Sequence, residues 1–268
     1  MTDRVTRAVL LDIEGTCCPL SFVKETLYPH CLANLRSFFS APHLPNNRFT
    51  HPQHFVTASA CAAALEQQYK LDIRTSDSEH RSSPQVNASL YSTTVTLPQF
   101  LGQAYAAVNY HTQHNRKVPA LKNLQSVIWN ISYENATLQS PIYSDIPRAL
   151  AQWTGLGIKI YIYSSGSRPA QHDFFKYSNV GDLRPFISGY FDTKVGPKND
   201  SESYRNIALS LGVDAPVFIT DVLAEAKAAS EAGFECVISL RDGNEAIEEQ
   251  HDLECSSDFS TLSIGFEK

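Results

Sequence analysis

Short apolar runs that alternate with helical segments constrain the fold of this chain more than any other feature. The runs are rich in Val, Ile, Phe and Tyr, and they cover residues 8–13, 157–165, 186–192, 216–221 and 235–240. Runs of this kind are typical of parallel strands that are buried on both faces. Helical segments at 144–157, 201–212 and 222–233 lie between the later runs. The chain is therefore predicted to form an α/β fold, a doubly wound parallel sheet with right-handed crossovers.

Residues 22 to about 138 have a different pattern, and we predict an α-helical domain inserted after the first strand. Apolar residues recur at helical spacing in 22–39, 55–71, 97–114 and 119–138, without strand alternation. Residues 72–97 are mostly polar and are predicted to form a mobile loop. We place the core domain at 1–20 with 140–268 and the helical cap domain at 21–139.

Composition excludes several functional classes. The net charge is −6 and the pI is about 5.8, so no basic surface for nucleic acid is predicted. No run is long enough for a membrane span or a signal peptide, and we expect a cytoplasmic location, with the nucleus as a second one. None of the six cysteines forms a Cys-x-x-Cys pair, which favours a reducing compartment.

Polar residues follow the ends of three predicted strands, where an open parallel sheet binds its ligands. They are Asp12, Glu14, Gly15 and Thr16 after the first strand, Ser164, Ser165, Gly166 and Ser167 after the second, and Thr220 and Asp221 after the fourth. Lys194 and Lys198 lie between the third and fourth strands. Taken singly, each piece is typical of a turn, a helix cap or a solvated side chain. Their order at successive strand ends favours a common site.

This set of residue types suits phosphoryl transfer. Carboxylates from two strands can hold Mg2+, while hydroxyls, backbone N–H groups and a lysine suit phosphate oxygens. Asp12 could attack phosphorus and form an aspartyl-phosphate. Glu14 lies two residues on, which is the same side of an extended chain, and could act as general acid and base.

The motifs also resemble a known family. DIEGT, SSG, a lysine and TD resemble the four-motif pattern of the haloacid dehalogenase superfamily of phosphohydrolases. Longer stretches resemble its enolase-phosphatase E1 family of methionine salvage, namely DIEGTCCPLSFVKETLYPH, WNISYENATLQSPIYSDIPRAL, KIYIYSSGSRPAQ, GYFDTKVGPKNDSESYRNIA and FITDVLAEAKAASEAGF. The likeness covers the chain except about residues 40–97. Glu14 carries much of it, since most of the superfamily has Asp there.

The resemblance implies specific roles. The catalytic residues would be Asp12, the nucleophile, and Glu14, the general acid and base. The binding roles it implies are Mg2+ ligation by Asp12, Glu14 and Asp221, and binding of phosphate or substrate oxygens by Ser164, Ser165, Gly166 and Lys198. Lys194 is a weaker candidate than Lys198. The inserted helices would be a cap that closes over the substrate and excludes water.

The implied substrate is 2,3-diketo-5-methylthiopentyl-1-phosphate, which would be enolised and then dephosphorylated to 1,2-dihydroxy-3-keto-5-methylthiopentene. Mg2+ would serve both steps, and the enolising base is left open between Glu14 and a cap residue. The alternative is a Mg2+-dependent phosphatase for another small keto or sugar phosphate. A non-catalytic module that binds a partner through its cap is disfavoured by the intact acids and Lys198. Family resemblance favours a monomer without nucleic acid or membrane partners.

Several features depart from the family or are predicted to be structural. Two threonines of the family are replaced by Cys17 and Cys18, a histidine by Pro197, and expected glycines by Ser132 and Asn135. The histidine pairs His51/His54 and His111/His114 lack a third ligand and are predicted to lie on the surface. Arg241 is predicted to close a turn at the edge of the site, 245–254 to form a solvated helix, and Trp129 and Tyr133 to pack in the cap core.

Overall fold

The structure, a computed structural model, describes residues 8–40, 58–78, 80–92, 96–116, 118–213, 215–262 and 264. Contacts within the chain divide it into two units. The sheet unit comprises Met1–Val23 and Leu138–Lys268, and the helical unit comprises Lys24–Thr137. Among the described helices, none combines the length and apolar character that crossing a membrane requires.

The described residues of the helical unit form four α-helices: α1 (Tyr28–Ser40), α2 (Ala58–Asp72), α3 (Leu97–Gln113) and α4 (Pro119–Glu134). A π-helical segment, Phe22–Leu27, precedes α1. Phe39, Phe100 and Leu124 are buried at the centre of one apolar cluster that joins all four helices. Tyr133 is also buried, and the Trp129 indole N–H donates to the Leu27 carbonyl (2.9 Å), so both residues pack within the unit as predicted.

The stretch predicted as a mobile loop contains regular structure in its described part. Short 3-10 helices span His80–Ser82 and Ala88–Ser92, and Val86 between them is buried. The Ala88 N–H donates to Glu66 Oε2 (3.2 Å), which ties this stretch to α2. The Asn87 N–H also donates to Gln103 Oε1 on α3 (2.8 Å). Polar composition misled the prediction because a few buried residues and backbone contacts are enough to fix a short segment. Residues 55–57 of the second predicted helix, and the pair His51/His54, lie outside the described residues.

The prediction that His111 lies on the surface is wrong. Its side chain is 2% exposed and its Nδ1 lies 3.2 Å from Arg116 Nη1, which in turn forms a two-point ion pair with Asp72 (2.7 Å at each contact). Burial, followed by repulsion from Arg116, lowers the pKa of His111 to about 4. His114, by contrast, is exposed. Sequence spacing could not show this difference because Asp72 is 44 residues away from Arg116.

A six-stranded, all-parallel sheet forms the centre of the sheet unit, with the order β3-β2-β1-β4-β5-β6. Its strands are β1 (Ala8–Leu11), β2 (Lys159–Tyr163), β3 (Ile187–Phe191), β4 (Val217–Thr220), β5 (Glu235–Ser239) and β6 (Glu254–Ser256). The predicted α/β sheet is confirmed, and β1–β5 each lie within a predicted run. The strand order changes direction at β1, whose residues are fully buried. A change of this kind leaves a crevice at the carboxyl ends of β1 and its neighbours.

In the part of the sheet unit that the structure describes, four α-helices flank the sheet: α5 (Ile146–Gly155), α6 (Arg168–Lys176), α7 (Ser201–Leu211) and α8 (Leu223–Glu231). The sequence reasoning missed α6, although its N-cap residue is recognisable, since the Ser167 side chain accepts from the Ala170 N–H (3.3 Å). The N-cap of α7 is Asp200, whose carboxylate accepts from the Glu202 N–H (3.0 Å). Short 3-10 helices span Arg184–Phe186 and Phe259–Thr261.

The predicted solvated helix at 245–254 is wrong. Residues 245–253 form no helix, and the chain continues into β6, which pairs in parallel with β5. Acidic side chains three and four residues apart repel one another on a helix. The edge of β5 instead offers backbone partners to the chain, which the local sequence could not reveal.

Candidate active site

Asp12 is the first residue after β1, and backbone contacts fix its position. Its N–H donates to the Ile219 carbonyl of β4 (3.0 Å), which extends the sheet pairing by one residue. Its Oδ1 accepts from the N–H of Ile13 (2.7 Å), and the residue is 5% exposed. The carboxylate is therefore held at the carboxyl end of the central strand, as the sequence predicts.

The chain turns sharply after Asp12. The N–H groups of Thr16, Cys17 and Cys18 all lie within hydrogen-bond distance of the Ile13 carbonyl (3.3, 2.8 and 3.0 Å). Glu14 is thus part of a turn, and the rule that residues i and i+2 share a side in an extended chain does not set its direction. Gly15 has φ of +68°, a left-handed conformation that favours glycine. Its N–H donates to the Cys18 carbonyl (2.8 Å).

Two buried thiols, Cys17 and Cys18, lie in this turn near acidic side chains. Burial of the Cys18 thiol raises its pKa, and Cys17, Glu14, Asp12 and Asp221 raise it further. Both cysteines are fully buried and free. The replacement of threonine by cysteine at these two positions therefore places neutral, apolar thiols beneath the turn.

Lys198 lies between two acidic side chains. Its Nζ is 2.7 Å from Asp12 Oδ2 and 2.6 Å from Glu225 Oε2, with the lysine side chain 10% exposed. Burial opposes the charge, but attraction to Asp12 and Glu225 outweighs it and raises the pKa of Lys198. Lys194 is exposed. The structure thus brings Lys198, and not Lys194, to the carboxylate at the end of β1.

Three successive carbonyl groups fix the backbone that carries Lys198. The Tyr163 hydroxyl donates to Gly196 (2.9 Å), the Ser203 hydroxyl to Pro197 (2.8 Å) and the Tyr204 hydroxyl to Lys198 (2.7 Å). The proline that departs from the family at position 197 offers the same carbonyl as any other residue. Because these donors are buried, the loop has little freedom to move Lys198 away from Asp12.

Asp221 follows β4 and faces the turn after β1. A Cβ atom built on Gly15 would lie 2.3 Å from Asp221 Oδ2, so the Gly15 backbone is packed directly against this carboxylate. The other carboxylate oxygen, Oδ1, is buried and has no hydrogen-bond partner among the described residues. Burial, followed by repulsion from Asp12, raises the pKa of Asp221 to about 7.

Glu225 is a site residue that the sequence reasoning missed. It lies in the first turn of α8, where its carboxylate contacts Lys198, and the Thr220 hydroxyl lies 3.1 Å from its Oε2 and 3.3 Å from Asp12 Oδ2. Burial and repulsion from Asp12 raise the pKa of Glu225, while Lys198 opposes this shift. A signal was available, because Glu225 lies near the start of the predicted helix at 222–233, four residues after Asp221, and acids are favoured near helix N-termini.

Ser164, Ser165 and Gly166 follow β2, which neighbours β1 in the sheet. The Gly166 N–H donates to the Ser164 hydroxyl (3.3 Å). Gln171 on α6, also missed from the sequence, holds this loop, because its Nε2 donates to the carbonyls of Gly166 and Phe191 (2.8 Å each). The loop therefore presents small polar groups at the same edge of the sheet as Asp12.

The described residues supply some of the oxygen ligands that a Mg2+ ion needs. No group of three or more His, Cys, Asp and Glu side chains in the described chain is arranged to hold a metal alone. Mg2+, however, is commonly bound by one or two carboxylates, with water and phosphate oxygens completing its shell. Asp12 and Asp221 supply two carboxylates, and the buried Asp221 Oδ1 is an oxygen available to a cation. The donor set therefore suits Mg2+.

The chain is similar in sequence to known proteins. Relatives from Physcomitrium patens and Populus trichocarpa are 41% and 38% identical to the chain over 90% and 96% of its length. Both are named probable bifunctional methylthioribulose-1-phosphate dehydratase/enolase-phosphatase E1. The matches cover 45% and 47% of those proteins, so the chain spans about half the length of the curated relatives it matches.

Solved structures agree with the fold. The UTR4 protein of Saccharomyces cerevisiae matches with a TM-score of 0.69 at 27% identity, covering 96% of this chain and 100% of that one. CbbY from Rhodobacter sphaeroides, solved in complex with phosphate, matches with a TM-score of 0.56 at 15% identity, which supports the fold alone; 96% of each chain is covered. Residues 6–233 match the family model described as haloacid dehalogenase-like hydrolase. The chain, with its parallel sheet and its acids at the ends of β1 and β4, therefore belongs to the haloacid dehalogenase-like hydrolase family.

Proposed function

We propose that this protein is a Mg2+-dependent phosphatase of the enolase-phosphatase type. Its substrate is 2,3-diketo-5-methylthiopentyl-1-phosphate, which it enolises and then dephosphorylates to 1,2-dihydroxy-3-keto-5-methylthiopentene in methionine salvage. The observation that carries the proposal is the Asp12 carboxylate at the end of the central strand, with the Lys198 ammonium 2.7 Å away. A carboxylate fixed beside a buried cation suits attack on a phosphate.

The relatives support the choice of reaction. Their names combine a dehydratase with an enolase-phosphatase, and the chain matches about half of their length. The hydrolase family match spans residues 6–233, which fits the phosphatase activity in that name rather than the dehydratase activity. The substrate and the pathway follow from the family resemblance of the sequence, with Glu14 as its most specific residue.

Dephosphorylation would proceed in two displacements. A carboxylate oxygen of Asp12 attacks phosphorus, the bond from phosphorus to the substrate oxygen breaks, and Glu14 gives a proton to that oxygen. Glu14 then takes a proton from water, whose oxygen attacks the aspartyl-phosphate and releases Asp12 and inorganic phosphate. Lys198 offsets the negative charge that the phosphate brings to Asp12.

The remaining residues bind and orient the substrate. Ser164, Ser165 and the Gly166 N–H are suited to hold phosphate oxygens at the end of β2. Mg2+ would be held by Asp12, Asp221 and the backbone carbonyl of Glu14, and when bound it polarises a carbonyl group and neutralises phosphate charge. Within the sheet unit, Glu14 is the residue proposed to remove the proton from the substrate in the enolisation step. We propose a monomer whose partner is this small phosphorylated diketone.

One assay tests the proposal. The purified protein is supplied with the diketo phosphate and Mg2+, while the absorbance of the enol product and the release of inorganic phosphate are recorded together. We expect both signals, and we expect EDTA to abolish phosphate release and Mg2+ to restore it. Phosphate release without an enol product would support instead a phosphatase for another small keto or sugar phosphate. Full phosphate release by metal-free protein would overturn the Mg2+ assignment.

A further inference from the structure

The loop that follows β5 holds the turn that follows β1. The hydroxyl of Ser239, the last residue of β5, donates to the Gly15 carbonyl (2.9 Å), and the side-chain amide of Asn244 donates to the same oxygen (2.9 Å). Ser239 is 1% exposed. Two donors on one carbonyl satisfy both of its lone pairs, so the Gly15 peptide group is fixed from outside its own turn.

The two donors are themselves fixed. The Asn244 side-chain amide also donates to the Ser239 carbonyl (3.1 Å), and its backbone N–H donates to the Arg241 carbonyl (3.1 Å). Asn244 therefore bridges the end of β5 and the Gly15 turn. The position of the turn is therefore tied to the end of β5 as well as to the turn's own hydrogen bonds.

Arg241 supports the next carbonyl group. Its Nε donates to the Thr16 carbonyl (3.2 Å), and its guanidinium forms a two-point ion pair with Asp145 (3.0 and 2.9 Å). The rings of Tyr143 and Phe259 lie 4.5 and 4.2 Å from the guanidinium carbon. This buried arginine anchors the turn, in agreement with the structural role predicted from the sequence.

The fixed turn matters for Asp221. The Gly15 backbone is packed so closely against Asp221 that a Cβ atom there would lie 2.3 Å from Oδ2. A shift of Gly15 by a few tenths of an ångström would therefore change the space available to this carboxylate. It would also move the peptide of Glu14, whose carbonyl is the third proposed ligand.

We propose that Ser239 and Asn244 are positioning residues for the Mg2+ site. They hold the Gly15 carbonyl so that Asp221 and the Glu14 carbonyl keep the spacing that the ion requires. This inference rests on the proposed function for the presence of Mg2+, but not for the identity of the substrate. Partners that orient metal ligands without touching the metal typically change metal affinity by about 10- to 100-fold when they are removed.

Isothermal titration of MgCl2 into metal-free protein tests the inference without any substrate. We expect Ser239→Ala and Asn244→Ala each to weaken Mg2+ binding by about tenfold. Ser239→Thr keeps the hydroxyl and should bind Mg2+ within about threefold of the wild type. Ser256→Ala is the matched control, because Ser256 pairs with Ser239 in the neighbouring strand and its hydroxyl donates locally, to the Asp258 carbonyl (3.1 Å). This variant should bind like the wild type.

Phosphate release measured against Mg2+ concentration gives a second readout. The half-saturating Mg2+ concentration should rise about tenfold in Ser239→Ala, while kcat at saturating Mg2+ stays within about threefold. Affinities within about twofold of the wild type in both alanine variants would overturn the inference. A Ser239→Thr variant that binds Mg2+ as weakly as Ser239→Ala would also overturn the inference, because the loss of Mg2+ affinity would then come from changed packing and not from the missing hydroxyl. If Ser239→Ala does not fold, Asn244→Ala decides, because Asn244 lies in a loop.

The two proposals can fail separately. The wild type could bind Mg2+, and the variants bind it more weakly, while the diketo phosphate is not turned over. In that case the positioning inference stands and the proposed substrate is wrong. If the wild type binds no Mg2+, the positioning inference and the metal assignment are both overturned.

Discussion

Replacing Lys198 with methionine would leave two buried carboxylates without their cation. The side chains of Lys198, Asp12 and Glu225 are 10%, 8% and 15% exposed, and both acids lie within 2.7 Å of the lysine Nζ. Methionine keeps most of the side-chain volume, so the change removes charge rather than packing. Any loss of stability would therefore report on the electrostatics of this cluster.

The expected loss is large for a single substitution. Two unit charges 4 Å apart interact by about 4 kcal/mol at an effective dielectric constant near 20. Removing one partner of a buried pair costs about 3–5 kcal/mol, because the other partner stays desolvated. Asp12 keeps the N–H of Ile13 and Glu225 keeps the Thr220 hydroxyl, so we expect the lower end, about 3 kcal/mol.

Urea unfolding in EDTA measures this loss in the absence of metal. Trp153 is buried in α5 of the sheet unit, whereas Trp129 lies in the helical unit, so a Trp129→Phe background restricts the fluorescence signal to the sheet unit. Lys194→Met is the matched control, because Lys194 is exposed, and it should change the free energy of unfolding by less than about 0.5 kcal/mol.

A double-mutant cycle makes the prediction specific. In the wild type, Glu225→Gln removes a partner of Lys198 and should destabilise the protein. In the Lys198→Met background the same change removes an unpaired buried charge and should stabilise it, by about 1 kcal/mol or more. A Lys198→Met loss below about 1 kcal/mol, or a Glu225→Gln effect of the same sign in both backgrounds, would refute the electrostatic reasoning.

Three further predictions concern catalysis, the loop that carries Lys198, and pH. Asp12→Asn should abolish phosphate release with the circular dichroism spectrum unchanged, and retained turnover would exclude the covalent mechanism. Gly196→Ala should destabilise the sheet unit by about 2 kcal/mol or more in urea unfolding. The reason is that Gly196 has φ of +143° and a Cβ atom there would lie 2.0 Å from the Ser203 hydroxyl oxygen. Gly102→Ala is the control and should not destabilise the protein, because a Cβ atom at that position meets nothing within 4 Å. The stability of the helical unit should fall by up to about 3 kcal/mol as pH falls from about 6.5 to about 4, because His111 has a pKa of about 4 in the folded protein and the unfolded chain binds the proton at higher pH. Hydrogen–deuterium exchange of α3 should show this loss of stability. A His111→Asn variant that keeps the full pH dependence would contradict this cause.

Much of the sheet could be predicted because buried parallel strands need continuous apolar runs. Ala8–Leu11 and Val217–Thr220 are examples, since every residue of β1 and β4 is buried. The polar residue that ends each run is forced to the carboxyl edge of the sheet, so the positions of Asp12 and Asp221 along the chain are enough to predict that they share this edge. The edge strand β6 has no such run and was missed.

Contacts between distant parts of the chain could not be predicted in the same way. Ser239 meets the Gly15 carbonyl across 224 residues, and the Lys198 ammonium lies 2.7 Å from an oxygen of Asp12 although the two residues are far apart in the sequence. The burial of His111 could not be predicted, because Asp72, which it faces, lies on another helix. Each of these contacts depends on strand order or helix packing, which local composition does not encode.

The sequence by itself determined the strand ends, the pair of acids in DIEGT, and the family to which these motifs belong. It did so because apolar runs and strand-ending acids are local properties of a chain. Only the tertiary structure decided that the Lys198 ammonium pairs with Asp12, that Glu225 shares this ammonium, and that Ser239 and Asn244 hold the Gly15 turn. These choices depend on β1 lying beside β4 in the sheet, because this order brings residues that are far apart in the sequence within 2.6–3.3 Å of one another.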